Sequence, residues 1–314
     1  MPEKILLRNV VGEYIKTIGK NDPKVVVVNA DLSGTCRNKS FSDTFPDRSF
    51  NVGIAEQNMV SFAAGLAHEG FKPYVFTMAP FLSMRACEQV RTDVAYGNKN
   101  VKMIAVYAGV SGGISGATHW SIEDCGIMTS IPNISVFELS DSKMARKLLD
   151  YSLDLNKPAY IRIGVDPVCD VYDGEFEIKE GGSTELIQGR DGYILCSGVV
   201  VHQAVLASKI LKEEYNLIVG VVDMYSIKPF DVEALLKAVT TKNIIVAQDH
   251  NVYGGLGSIL SKYIAENGLV CKFKVLGIND EFVSMAHAPF LYKKYKLDAY
   301  GISESFALLN KKEN

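Results

Sequence analysis

No stretch of the chain is apolar for long enough to cross a bilayer. The longest apolar runs, such as Val25–Val28 and Ile104–Ala108, are strand-sized, far below the ~18 residues of a membrane span. The start, Met1-Pro2-Glu3-Lys4, has no basic segment leading into a long apolar one, so no secretory signal is expected. The six cysteines (Cys36, Cys87, Cys125, Cys169, Cys196 and Cys271) are scattered without a Cys-x-x-Cys pair. That argues against a disulfide framework and against a cysteine metal site, and leaves reduced thiols of the cytoplasmic kind. Excess charge is lacking too: a net charge of −3 gives no pull towards nucleic acid or an anionic membrane. There is no short repeat and no low-complexity segment.

What is present is a βα rhythm. With 314 residues and 47% apolar content, the chain has room for about two domains with sizeable cores. Val25–Val28 is a β-branched run with no alternation, the pattern of a strand buried on both faces of a parallel sheet; Val101–Ala108 reads as a further buried strand and Ile134–Leu139 as another strand. Between them the spacing predicts helices over 6–18, 56–68 and from Pro80 to about Tyr96, with Gly19 as the C-cap of the first. Ser121-Ile-Glu-Asp124 resembles a helix N-terminus, and Asp31–Ser42 reads as a loop. Residues 170–190 turn polar and acidic, with Gly181-Gly182 and no long apolar run. The fold class is therefore α/β, with two tandem domains, each a mostly parallel sheet flanked by helices. The boundaries are 1–180 and 193–314, joined by a linker at 181–192. A last helix is expected from Ser303 as its N-cap.

Candidate site residues follow predicted strands. Asp31, Glu56, Phe81 and His119 each come just after one, and right-handed crossovers would line them along one sheet edge. An acid, an aromatic plate and a histidine suit a planar heteroaromatic ligand. The acid can hydrogen-bond a ring nitrogen, the ring can stack, and the histidine can move protons. Each also has a plainer reading. Glu56 can be a first-turn carboxylate favoured by the helix dipole, Phe81 a core residue, His119 a structural loop histidine beside Trp120, Asp31 a turn cap and Arg8 a solvated helix charge. His250 can be an interface or capping residue, and Gly254-Gly-Leu-Gly257 hints at an anion-binding helix start.

Gly53-Ile-Ala-Glu56-Gln, Gly116-Ala-Thr-His119, Asp31-Leu-Ser-Gly-Thr35, Ile227-Lys-Pro-Phe-Asp231 and Asp249-His-Asn with Gly254-Gly-Leu-Gly-Ser258 together resemble the transketolase family. The likeness is to its C-terminal half, and it extends over nearly the whole chain. It implies a pyrimidine-binding domain followed by a transketolase C-terminal domain, and a transferase that moves a two-carbon ketol unit from a ketose to an aldose on thiamine diphosphate. By the same resemblance Glu56 bonds and activates the aminopyrimidine, Phe81 stacks on it, and Ile54 and Asp31 lie against the cofactor. His119, with Glu56, is catalytic and contacts donor hydroxyls. Arg8 and Thr35 bind substrate phosphate, and Ser115 and Arg162 complete the substrate set. The family's Gly-Asp-Gly…Asn motif for Mg²⁺ and diphosphate is missing, and no metal ligand is assigned to this chain. The resemblance therefore implies one subunit of a split transketolase. An N-terminal-section partner would hold the diphosphate and Mg²⁺, in a dimer of heterodimers in the cytoplasm.

Four positions depart from the family pattern: Tyr107 for a histidine, Ser115 for an aspartate, Val165 for an arginine and Met78 for an aromatic. They point to a modified sugar or sugar phosphate, such as a branched, deoxy or sulfonated one. Two other readings remain at this point. One is a related enzyme, either a 2-oxo acid dehydrogenase beta-type subunit or a deoxyxylulose-phosphate-synthase-like enzyme. The other is a non-catalytic structural or regulatory subunit.

Overall fold

The computed structural model describes residues 4–311. In chain order its strands are β1 (Val25–Asn29), β2 (Ser49–Asn51), β3 (Lys72–Met78), β4 (Lys102–Val106), β5 (Ser135–Glu138), β6 (Ala159–Ile163), β7 (Thr184–Ile187), β8 (Gly192–Cys196), β9 (Val219–Asp223), β10 (Ser226–Lys228), β11 (Asn243–Asn251) and β12 (Lys272–Ile278). The first sheet has seven strands in the order β10-β5-β6-β4-β3-β1-β2, and the second has five in the order β12-β11-β8-β9-β7. Every pairing is parallel except two at the sheet edges, β10 on β5 and β7 on β9. The expected α/β class is present in both halves.

The β-branched runs become strands because successive side chains leave a strand on opposite faces, and here both faces are covered. Val25 and Val27 of β1, Tyr74 and Phe76 of β3, and Ile104 and Val106 of β4 join one core. Val28, Val75, Met103 and Ala105 of the same strands join the other. The first of these cores also takes in Ile163, Ile194 and Cys196, so the two halves share buried apolar surface.

Several local expectations change. The segment 181–192 is not a free linker, since Thr184–Ile187 within it is the edge strand β7; an edge strand needs only one apolar face, so its run is short and polar. The expected loop Asp31–Ser42 holds two short helices, Ser33–Cys36 and Lys39–Thr44. The first helix runs on through Gly19 to Asn21. The last helix is Ala299–Asn310, and its N-cap is Asp298 rather than Ser303, with Asp298 Oδ1 accepting from the Gly301 N–H at 3.0 Å. The helix after Pro80 is interrupted by two widened π turns, Phe81–Arg85 and Val90–Ala95. The helix near Ser121 begins at Asp124 with Glu123 in the N-cap position, and Ser121 Oγ accepts from the Asp124 N–H at 3.0 Å.

Polar groups sit at the junction of the two halves. Asp249, at the end of β11, is buried and accepts from the Val110 N–H (2.8 Å) and the Tyr292 hydroxyl (3.0 Å). Asp223 of β9 is buried and accepts from the Tyr172 hydroxyl at 2.7 Å. Burial raises each carboxyl to about 7. The folded chain then keeps protons that the unfolded chain releases near pH 4, so these groups make stability fall as pH rises from about 4 to about 7. Burial lowers His250 and His202, and these work in the opposite direction. The readout is therefore a difference between variants. Relative to the unaltered chain, Asp249→Asn is expected to gain melting temperature as pH goes from about 5 to about 8. A pH-independent difference would count against the assignment.

Candidate active site

β4, β3, β1 and β2 are neighbours in the first sheet. Their carboxyl ends therefore form one continuous edge, and it carries four of the predicted residues. Asp31 follows β1 with φ 59°. Its N–H donates to Asn51 Oδ1 (3.0 Å), and Asn51 Nδ2 donates back to Asp31 Oδ1 (3.3 Å), which clips the ends of β1 and β2 together. Asn51 Oδ1 also accepts from the Gly53 N–H at 3.1 Å. This shapes the turn on which Ile54 stands 79% exposed.

Glu56 opens the helix Glu56–His68 and is only 2% exposed. Its Oε2 accepts from Arg85 Nη1 at 2.8 Å, while Oε1 has no partner among the described residues. The Arg85 guanidinium lies over the Phe81 ring, 4.0 Å from its centroid. The His119 ring is tilted against Phe81, at 6.2 Å between centroids. His119 is exposed, and its Nδ1 shares a hydrogen bond with Thr118 Oγ1 at 2.8 Å. A buried acid, a half-buried aromatic plate and an accessible histidine thus form one connected group, and Arg85 ties the first two.

A second group lies at the same edge. Arg8, in the first turn of the helix Leu7–Asn21, donates from Nη1 to the Tyr107 hydroxyl (3.2 Å) and to the Thr35 carbonyl (3.4 Å). Its Nε is buried without a partner. Tyr107, directly after β4, adopts φ 63°. Thr35 meets Arg8 through its backbone, which leaves its hydroxyl out of that contact. Ser115 ends the helical turns Gly109–Ser115 and is half-buried. The root of this loop is held by the second domain. Gly109 has φ 67°, and a Cβ there would lie 2.1 Å from Asp249 Oδ2, so only glycine lets the two halves approach.

Arg162 does not join either group. It lies on β6 with 0% exposure. Its Nε donates to Asp124 Oδ2 (2.9 Å), Nη1 pairs with Glu138, and Nη2 donates to the carbonyls of Asp249 (2.7 Å) and Ser121 (3.4 Å). With its donors engaged and no path to solvent, it braces the junction and cannot hold a substrate phosphate. His250 is also inside, accepting the Gly126 N–H on Nε2 at 3.3 Å. Gly255 takes φ 67° against the Gln248 side chain, and the Leu256 N–H donates to Gln248 Oε1 at 2.8 Å. One N–H of that helix start is therefore taken by a side chain of the chain itself. Among the described residues no group of three or more His, Cys, Asp or Glu side chains could hold a metal ion, and no helix is long and apolar enough to cross a membrane. Arg85 was not foreseen, because it lies in no motif, and Asn51, although it opens the Asn51–Asn58 stretch that carries Glu56, gains its role only from the strand order.

Residues 3–166 match the model of the transketolase pyrimidine-binding domain, and residues 182–302 match that of the transketolase C-terminal domain. A transketolase C-terminal section from Methanocaldococcus jannaschii is 37% identical over 98% of this chain and 97% of its own. One of the subunits of an apulose-4-phosphate transketolase from Phocaeicola vulgatus is 35% identical over 96% of each chain. A solved split-gene transketolase, described as an inactive β4 tetramer, superposes with a TM-score of 0.86 at 33% identity, over 98% of this chain and 100% of that one.

The bracing role of Arg162 has a direct check. Arg162→Met leaves Asp124 and Glu138 buried without their cation, and breaking a buried pair on one side costs about 3–5 kcal/mol. Urea unfolding is expected to register that loss. Unchanged stability would return Arg162 to the candidate ligand set.

Proposed function

The chain belongs to the transketolase family, and from that premise we propose that it is the pyrimidine-binding and C-terminal subunit of a thiamine-diphosphate-dependent split transketolase. It would act with an N-terminal-section partner that holds the diphosphate and Mg²⁺, in a dimer of heterodimers. The observation that carries the reading is Glu56: a buried carboxylate with one oxygen fixed and the other unpartnered, beside the half-buried ring of Phe81. A carboxylate is costly to bury and persists where a ligand or partner uses it. This arrangement fits an aminopyrimidine, which offers a flat face to Phe81 and a ring nitrogen to Glu56.

Thiamine diphosphate, when bound, supplies the nucleophilic carbon and electron sink for breaking and remaking a carbon–carbon bond beside a carbonyl. The chain's own residues have simpler tasks. Glu56 holds a proton at the ring nitrogen through Oε1. Phe81 stacks and keeps water off that face. His119, held by Thr118, bonds the hydroxyls of the donor sugar and moves protons there. Asp31 and Ile54 line the turn against the cofactor. Arg8 presents its remaining N–H groups to an anionic end of the substrate, with the Thr35 hydroxyl and Ser115 beside it.

The substrate is a non-standard sugar or sugar phosphate in this reading. Tyr107 accepts from Arg8 where the family carries a histidine, and Ser115 and Val165 replace two further charged positions. The relative from Phocaeicola vulgatus, named for apulose-4-phosphate, supports a substrate outside the common pentose phosphates.

Reconstitution with the partner chain tests both parts. Glu56→Gln is expected to lower turnover by roughly 10² or more while leaving complex formation intact, and unchanged turnover defeats the catalytic reading. With standard xylulose and ribose phosphates, the unaltered complex is expected to turn over far more slowly than with a branched, deoxy or sulfonated donor or acceptor. Full activity on the standard pair removes the altered-substrate part alone.

A further inference from the structure

Glu56 and Arg85 form an unequal pair. The carboxylate side chain is 1% exposed and the guanidinium side chain 47% exposed, at 2.8 Å. An exposed pair of this kind contributes little, but a buried carboxylate without a partner is strongly disfavoured. Arg85 is the one cation on Glu56 among the described residues, and it engages Oε2 alone. The carboxylate is thereby prevented from rotating, and Oε1 is the oxygen left to face a ligand. The same guanidinium lies 4.0 Å from the Phe81 ring centroid, so one planar cation fixes both the acid and the plate.

The backbone explains how Arg85 reaches both. Phe81–Arg85 is a π turn, closed by the Ala86 N–H on the Phe81 carbonyl at 3.0 Å. A π turn carries one residue more than an α turn and recurs at functional sites. Here it sits at the carboxyl end of β3, beside the helix start that carries Glu56, and both ends of the turn contribute a side chain to the same group. Ser83, inside the turn, is turned inwards and donates to the Ala79 carbonyl at 2.8 Å, so Arg85 is the polar side chain of this turn that faces the site.

We propose that Arg85 is a positioning residue for Glu56: it holds Oε2 so that Oε1 alone meets the aminopyrimidine, and it keeps Phe81 at a fixed distance from that oxygen. The proposal rests on the thiamine-diphosphate reading given above. Arg85→Met removes both the charge-assisted hydrogen bond and the stacking. Arg85→Lys restores the charge and a single N–H but not the planar stack.

The test uses the complex reconstituted with the partner chain, with thiamine diphosphate binding followed by calorimetry and the melting temperature of the cofactor-free complex measured in parallel. Arg85→Met is expected to weaken cofactor binding about ten- to hundredfold, the worth of a hydrogen bond to a charged group. Arg85→Lys should recover part of that loss. In a Glu56→Gln background, Arg85→Met should add little, because the two residues act as one unit. Cofactor binding that is unchanged in Arg85→Met, or lost in proportion to melting temperature without recovery in Arg85→Lys, overturns the proposal. Tighter binding in Arg85→Met also overturns it, since the guanidinium would then be standing in the place of the ring. If the unaltered complex does not bind thiamine diphosphate at all, the functional reading fails instead, which separates the two ideas.

Discussion

A single fully buried guanidinium holds the molecule together. Arg162 leaves β6 in the middle of an apolar sheet and is met by two carboxylates, Asp124 and Glu138, and by the carbonyls of Ser121 and Asp249. Glu138 in turn accepts from Ser197 (2.6 Å) and Gln248 (2.9 Å) of the second domain. Removing charges from water is expensive, and the hydrogen bonds around Arg162 offset that cost, although Asp124 Oδ1 is buried without a partner among the described residues. These bonds come from both domains and from the foot of the loop that carries His119. Hydrogen bonds between the halves therefore act beside their shared apolar core in fixing the relative placement.

The site depends on that bracing at one remove. The segment Gly109–His119 has four glycines and few side chains to anchor it, so its shape must come from outside. The Gly109 N–H donates to the Ser121 carbonyl at 2.7 Å, and the Val110 N–H to Asp249. Ser121 is itself a partner of Arg162, and Asp249 belongs to the second domain. On the other side of the edge, Asp31 and Asn51 clip β1 to β2, which sets the turn ahead of Glu56. The candidate edge is held at both flanks for different reasons: bonds to Asp249 and Ser121 at the loop, and side-chain amide bonding at the turn.

The sequence disclosed the parts of this arrangement that local chemistry determines. Val25–Val28 read as a doubly buried strand because burial on both faces leaves no polar alternation, and Val101–Ala108 read as a further buried strand. Asp31, Glu56, Phe81 and His119 read as one edge because parallel connections leave little choice of topology. Arg162 misled because Tyr160-Ile-Arg-Ile163 shows a charge without showing its counter-charges, which lie 24 and 38 residues away along the chain. Arg85 stayed hidden for a related reason, since its carboxylate partner is 29 residues distant. The short strand Ser226–Lys228 has too few residues for any period to register, and β7 read as linker because an edge strand needs little hydrophobicity.

The position of that short strand bears on how the chain is made. β10 belongs by sequence to the second half, yet it completes the first sheet by pairing with Phe137 and Val136 of β5. Until residue 228 has been synthesised, β5 presents a bare edge of the kind that invites pairing between chains. At roughly 5–20 residues per second, translation leaves that edge open for several seconds after β6 is complete. The second half thus acts as an edge guard in cis. A nascent first half stalled or truncated before β10 would be the species most exposed to aggregation, and the one most in need of a chaperone.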